Sequence, residues 1–288
     1  MQTALARLGQ RVPAHLLLLL ALVVLQIGSG FAKQIMSADN VMSLAFLRLT
    51  LGGLFLALIL RPRILQFNRS QWIDVVGLGI AFTAFNVSIY LALIHLPLGL
   101  VATIGFLGPL SVSLIGARRI FDFIWPIVAF CGVCMLAPLG ETGEVSWTDI
   151  GYGIAYACAW GFYILASART GRSVPGLDGF VIATCIAAIL ISPLGYANAG
   201  YFLSTPTLIK MTVVVALFAT LPFGLEFLAL KRLPPRTFGI LLSLEPAIAS
   251  ITGIFLLNEQ LTLATWVAIG IVSVASVGVT FARQSKQT

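Results

Sequence analysis

Leu91-Ala92-Leu93-Ile94-His95-Leu96-Pro97 returns 137 positions later as Leu228-Ala229-Leu230-Lys231-Arg232-Leu233-Pro234. Under the same offset Leu107 and Pro109 meet Leu244 and Pro246, Ser113 meets Ser250, and Gly116 meets Gly253. Nine of the 26 positions from 91 to 116 agree. The acidic Asp122 then falls on Glu259, and a fainter match at another offset sets Gly30-Phe31 on Gly161-Phe162. The chain therefore reads as two related halves, 1–140 and 141–288.

Apolar runs fill both halves. Hydrophobic residues make up 59% of the chain and charged residues 9%, against roughly 25% charged in a soluble domain. About 20 apolar residues cross the roughly 30 Å of bilayer hydrocarbon. Ten such runs lie near 14–35, 41–60, 73–94, 98–117, 124–139, 150–168, 179–197, 208–228, 237–257 and 262–282. No connection is long enough to hold a soluble domain. The expected fold is an all-α integral membrane bundle of ten transmembrane helices, with the lipid bilayer as its surroundings. The first run could pass for a signal peptide, with Gly28-Ser29-Gly30 as small residues for cleavage. Its apolar character continues through Phe31, Ile35 and Met36, and its removal would spoil the two-half pattern, so it is read as an uncleaved span.

Charge sets the orientation. Of the 17 Lys and Arg, 14 lie at the termini or on even-to-odd connections: Arg7, Arg11, Arg61, Arg63, Arg69, Arg118, Arg119, Arg169, Arg172, Lys231, Arg232, Arg236, Arg283 and Lys286. The odd-to-even connections carry Asp39, His95, Glu141, Glu144, Asp149 and Glu259. By the positive-inside rule both termini are cytoplasmic. The net charge of +7 belongs to loops facing anionic headgroups, and no nucleic-acid partner is expected. Five spans per half require the second half to insert upside down: His95 lies on an arginine-free connection, its counterpart Arg232 on a basic one. Inverted repeats mark secondary transporters, whose halves rock about a midplane site. A structural membrane protein grown by duplication is the plainer alternative.

This organisation resembles the drug/metabolite transporter superfamily, specifically bacterial proteins with paired EamA repeats. The stretch Leu230-Lys231-Arg232-Leu233-Pro234-Pro235-Arg236-Thr237-Phe238-Gly239, continuing through Ser243-Leu244-Glu245-Pro246-Ala247, is similar to that family's threonine/homoserine exporters. Pro97-Leu98-Gly99, Gly108-Pro109-Leu110, Arg118-Arg119 and Asp122-Phe123 resemble them too. Exporters of aromatic amino acids share the architecture. The resemblance implies a proton-driven exporter of amino acids or related metabolites in the bacterial inner membrane.

Ionisable residues inside spans point to the site. A charge at the bilayer centre costs about 2.5–3.5 kcal/mol on insertion scales, so such residues face the bundle interior. Lys210 opens its span and can snorkel to water. Glu226 is about a turn from the cytoplasmic end, where a local salt bridge to Lys231 or Arg232 competes with a proton-coupling role. Lys33 lies near the outer end of the first span. Glu245 and Arg48 are near mid-depth. One reading pairs them as a fold-fixing ion pair. The other has them hold a zwitterion, with the guanidinium gripping the substrate carboxylate bidentately and Glu245 exchanging a proton for its ammonium.

Residues three or four apart share a helical face. Gln26, Ser29, Gly30 and Lys33 make one polar stripe; Thr83, Asn86 and Tyr90 a second; Phe238, Glu245, Ala249 and Thr252 a third. Tyr152, Tyr156, Trp160, Tyr163 and Ser167 form an aromatic column whose faces can hold an ammonium or simply pack. The candidate substrate-binding set is Glu245, Arg48, Lys33, Gln26, Asn86, Tyr90, Trp160 and Tyr163, with Glu245 and Glu226 as candidates for proton coupling. Pro109 and Pro246 are repeat-related and fall mid-span, where each is expected to kink its helix, and Pro222 is a third candidate kink. Paired interruptions in the two halves point to a binding site.

Cys131-Gly132-Val133-Cys134 has redox or metal-pair spacing but lies inside a span with no His nearby, so it is read as packing. No nucleophile–base pair, metal-ligand cluster or phosphate loop is present, so the chain is not expected to be an enzyme or to hold a metal or cofactor. The small residues Gly270, Val274 and Gly278 allow close helix approach within a monomer or between the copies of a homodimer. An exchanger of phosphorylated or nucleotide-linked metabolites is the alternative transport class. It would need several cations at the cavity, and only Lys33 and Arg48 qualify.

Overall fold

Two capping boxes begin the two longest helices. Asn68 accepts from the Gln71 backbone N–H while the Gln71 side chain accepts from the Asn68 backbone, both at 2.9 Å. Ser146 and Asp149 exchange the same pair of bonds at 3.2 and 2.8 Å. Each box satisfies donors that a helix start leaves open. The structure, a computed structural model, describes residues 13–62, 66–113, 124–134, 146–174, 176–230 and 241–282. Its helices are α1 (Ala14–Ile35), α2 (Val41–Leu60), α3 (Arg69–His95), α4 (Leu98–Gly105), α5 (Leu107–Ser113), α6 (Ile124–Cys134), α7 (Trp147–Ser173), α8 (Asp178–Gly195), α9 (Pro206–Leu230), α10 (Glu245–Leu257) and α11 (Leu263–Ala282). A 3-10 turn, Ala199–Leu203, precedes α9. Among the described residues there is no strand.

Of these, α1, α2, α3, α7 and α8 are long and apolar enough to cross a membrane, and shorter apolar helical stretches run over Leu98–Val112, Pro206–Pro222, Glu245–Leu257 and Leu263–Ala275. The surface is inverted relative to a soluble protein. Leu58, Phe162, Ile189, Phe255 and Leu263 stand exposed, while Gln26, Arg48, Asn86 and Glu245 are buried. Lipid supplies no hydrogen bonds, so polar groups must find partners inside the bundle. Many do so within their own helix: Ser29, Thr83, Thr103, Ser250 and Thr252 each donate to the carbonyl four residues earlier.

The most extensive helix pairs are α1 with α9, α3 with α7, and α2 with α8, followed by α3 with α8, α6 with α11, α2 with α9 and α4 with α10. Glycines set several of these approaches. A side chain on Gly99 would collide with Ser250, one on Gly195 with Phe46, and one on Gly278 with Trp125.

The run expected to kink at Pro109 is instead two helices, α4 and α5, separated at Phe106. Similarly, α10 begins only after a turn at Ser243 and Leu244. Both breaks fall within a turn before the proline, whose ring and missing N–H disrupt the carbonyl four residues back. Pro109 and Pro246 thus occupy the first turns of new helices, where a missing N–H costs nothing. Pro222 does lie inside α9, leaving the Phe218 carbonyl without its usual donor. Gly28 of α1 packs against Phe218 at that point. Pro193, inside α8, frees the Ile189 carbonyl, and the Ser192 hydroxyl fills the vacancy at 2.7 Å.

The basic residues Arg7, Arg11, Arg63, Arg118, Arg119, Lys231, Arg232, Arg236, Arg283 and Lys286 lie outside the described residues, as do Asp122, Glu141, Glu144 and Phe238.

Candidate functional site

Arg48 projects from the middle of α2 and is 8% exposed. Its guanidinium carbon sits 5.5 Å from the centre of the Tyr90 ring on α3, a cation–π contact. Among the described residues the ion pairs are Lys33–Glu259, His95–Asp149 and Arg169–Asp74. Arg48 takes part in none of them, so the fold-fixing Arg48–Glu245 pair does not form. A buried guanidinium without a counter-ion is costly and keeps its donors free for an anionic group.

Two small cavities meet at Arg48. One is also lined by Phe82, Phe180, Thr184 and Thr220, the other by Gly28, Ser29, Ile89 and Tyr90. Each holds about 10 Å³, room for about one water molecule. An amino acid does not fit without a rearrangement.

Glu245 is the first residue of α10 and is 4% exposed. The open backbone donors and dipole of a helix N-terminus favour a negative charge there. The Gln26 side-chain amide on α1 donates to its carboxylate at 3.3 Å. Glu226 on α9 lies within electrostatic range of Glu245, so two carboxylates share one region.

Aromatic rings line the space around these charges. Tyr156 on α7 is within electrostatic range of both Glu245 and Arg48, and Tyr163 is within range of Glu226 and Arg48. Tyr156 stacks on Trp160 with ring centres 5.6 Å apart. Phe85 of α3 touches Tyr156, Trp160 and Tyr163 at 5.5, 6.2 and 5.3 Å. Phe106, at the helix break, meets Trp160 edge-on at 6.1 Å. Gly105 makes room for this wall: a side chain there would collide with the Tyr156 ring. Asn86 is fully buried. Its nitrogen donates to the Phe82 carbonyl at 2.7 Å, and its oxygen has no partner among the described residues.

Of the residues singled out in the sequence, Arg48 and Tyr90 touch, as do Gln26 and Glu245, and Trp160 and Tyr163 both contact Phe85. Lys33 is engaged elsewhere, donating at 2.6 Å both to Glu259 and to the Leu96 carbonyl. Tyr156 was not among the candidates, although it is within electrostatic range of both Glu245 and Arg48. The signal available for it was its position in the aromatic column, a turn before Trp160.

The EamA-like transporter family profile matches residues 147–281. Threonine/homoserine exporter RhtA of Escherichia coli K12 is 35% identical over 266 residues, covering 92% of this chain and 90% of the relative. The RhtA of Salmonella typhimurium LT2 is likewise 35% identical, over 267 residues with the same coverage. This chain belongs to the EamA-like transporter family. As an EamA protein it is an all-helical membrane transporter of the drug/metabolite transporter superfamily. A more distant relative, the uncharacterized transporter YvbV of Bacillus subtilis, is 23% identical over 265 residues, or 86% of this chain and 85% of YvbV. A crystal structure at 15% identity superposes with a TM-score of 0.62 over 94% of this chain and 96% of its own, and so shares the EamA fold.

Proposed function

We propose that this EamA protein exports small zwitterionic amino acids of the threonine and homoserine kind from the cytoplasm, by alternating access coupled to proton entry across the bacterial inner membrane. The observation that carries this reading is the separation of Arg48 from Glu245. The two are a buried guanidinium and a buried carboxyl group that form no ion pair with each other, with the Tyr156 ring in range of both. A free amino acid presents the complementary pair of charges. Its carboxylate docks on the Arg48 fork, and its ammonium replaces a proton on Glu245 against the Tyr156–Trp160 face. Glu226 offers the proton a second carboxylate on its way through. The alternative, a phosphorylated or nucleotide-linked substrate, calls for several free cations. Lys33 is already neutralised by Glu259, and among the described residues Arg48 alone lines the cavities as an unpaired cation.

Ten spans in two inverted halves, 1–140 and 141–288, and cytoplasmic termini complete the proposal. The helix pairing supports it. In an inverted repeat the α1–α9 pair is the image of α7–α3 and α3–α8 the image of α9–α2, while α2–α8, α4–α10 and α6–α11 each map onto themselves; these are the extensive pairs seen. A finer correspondence agrees. The offset of 137 carries Gly108 to Glu245, and the match of Gly30 with Gly161 carries Gln26 to Ala157. Gly108 packs against the Ala157 backbone just as Glu245 meets Gln26. The same crossing is close-packed in one half and polar in the other, which leaves a single charged site. The small size of the Arg48 cavities corresponds to a closed state of the cycle.

A competition panel in proteoliposomes tests the substrate class. Unlabelled threonine and homoserine are expected to suppress labelled threonine uptake more strongly than acidic, basic or phosphorylated competitors. Suppression by a phosphorylated metabolite alone would overturn the proposal.

A further inference from the structure

Three polar rungs cross between the first and second halves of the sequence along one seam, where α1 faces α10 and the α10–α11 turn. Gln26 donates to Glu245 at 3.3 Å, Gln34 donates to the Leu256 carbonyl at 2.7 Å, and Lys33 donates to Glu259 at 2.6 Å. Glu259 also accepts from the Leu98 backbone N–H at 3.0 and 3.2 Å, at the start of α4. Gln26 and Lys33 are seven residues apart, on one face of α1 and about 10 Å along it. The Lys33–Glu259 rung therefore closes the end of the seam that begins at Glu245. This is the end away from the arginine-bearing connections.

The local chain is shaped for this contact. Asn258 takes a left-handed conformation with φ 54°, which turns the chain back so that the Glu259 N–H bonds the Gly253 carbonyl at 3.1 Å. Gly253 leaves the space the carboxylate occupies; any side chain there would collide with it. We propose that Lys33 and Glu259 are the outer gate of the transporter, parting each time the substrate leaves the Arg48–Glu245 site. This rests on the alternating-access reading above.

The contacts on either side define what moves. Helix α1 is packed along α9, with Gly28 against Phe218, and α10 is packed on α4, with Gly99 against Ser250. Glu259 is held to α4 through Leu98 and so travels with α10. Opening the seam separates the α1–α9 unit from the α4–α10 unit, and Lys33 is the residue that lets go. Release is inexpensive because Glu259 is not orphaned: it keeps the Leu98 donor and the favourable end of the α4 dipole. The pair is also partly wet, with 20% and 12% of the two side chains exposed. The exposed part of each side chain lets water reach both charges as they part.

The test places a cysteine at Ser29, which lines the Arg48 cavity, in a chain whose four native cysteines are changed to serine. Its labelling by a membrane-impermeant thiol reagent is followed from the non-cytoplasmic side. Removing the charge with Lys33→Met or Glu259→Gln is expected to speed labelling by about fivefold, the scale of a part-exposed ion pair acting on an opening equilibrium. Lys33→Arg should leave the rate unchanged. Unchanged labelling in both charge-removing variants, with protein that elutes as the wild type does in detergent, would overturn the gate. Should those variants not assemble, Lys33→Cys with Glu259→Cys bridged by a short bifunctional thiosulfonate decides. Flux that stops when bridged and returns on reduction supports the gate, and flux that continues while bridged refutes it. Threonine uptake is scored separately: faster labelling without threonine transport keeps the gate and removes the substrate reading.

Discussion

Gln26 and Glu245 meet amide to carboxylate at 3.3 Å although 219 positions separate them in the chain. The contact ties α1 to the first residue of α10 and puts a buried carboxylate beside a neutral donor rather than a cation. A carboxamide can donate to a carboxylate and can equally accept from a protonated acid, so it tolerates both states of Glu245. An ion pair with Arg48 would have held the carboxylate in its charged form.

Glu245→Gln keeps the size and hydrogen-bonding reach of the side chain but cannot exchange a proton. Coupled accumulation of substrate should fall by at least about tenfold and lose its dependence on external pH, because the step that links proton to substrate is gone. Exchange of internal for external substrate, which needs no net proton movement, should persist. Vesicle uptake with and without an imposed pH gradient measures both.

Arg48→Lys keeps the charge and loses the planar fork. Apparent affinity should drop by about tenfold or more, since bidentate recognition of a carboxylate is not available to an ammonium. Tyr90→Phe, which preserves the ring beneath the guanidinium, should transport nearly as the wild type. Tyr90→Ala removes a buried cation–π contact of about 2 kcal/mol and should raise KM more than it lowers the maximal rate. Initial uptake rates across a substrate series distinguish these outcomes.

Gly105→Ala thrusts a methyl group into the Tyr156 ring. Overpacking of this kind costs about 1–3 kcal/mol, so the detergent-solubilised protein should melt at a lower temperature. Tyr156→Ala on the same chain should recover most of that loss, since neighbouring sites couple. Thermal melting of the two single variants and the double variant closes the cycle. Two independent, additive losses would mean that the ring does not depend on the glycine.

Asp74 is buried on α3 and receives the Arg169 side chain of α7 at 2.6 Å, while the arginine is itself mostly exposed. Arg169→Ala removes the charged partner of that carboxylate and should lower the melting temperature. Arg172→Ala, an exposed cation one turn along, should not.

Much of the helical layout was legible because the bilayer imposes a long apolar run between polar ends. The runs at 14–35 and 41–60 coincide with α1 and α2. Length and hydropathy could not reveal the breaks at Phe106 and before Glu245, where the prolines act a turn upstream of their own positions. The mid-depth charges stood out because lipid makes them expensive. Their partners did not: that Lys33 faces Glu259 while Arg48 faces a tyrosine ring depends on how α1, α2 and α10 rotate against one another. Those rotations are set by small-residue contacts such as Gly28 on Phe218 and Gly99 on Ser250, which carry no signal of their own. Tyr156 was hidden for the same reason, since its place in the ring cluster depends on Gly105 on another helix.

The most direct test of the central claim is accumulation of labelled threonine or homoserine in inside-out membrane vesicles carrying this chain, with an inwardly acidic pH gradient imposed. Concentrative uptake that an uncoupler collapses, and that Arg48→Ala and Glu245→Gln each abolish, is the expected result. Concentrative uptake that survives both substitutions unchanged would contradict the account.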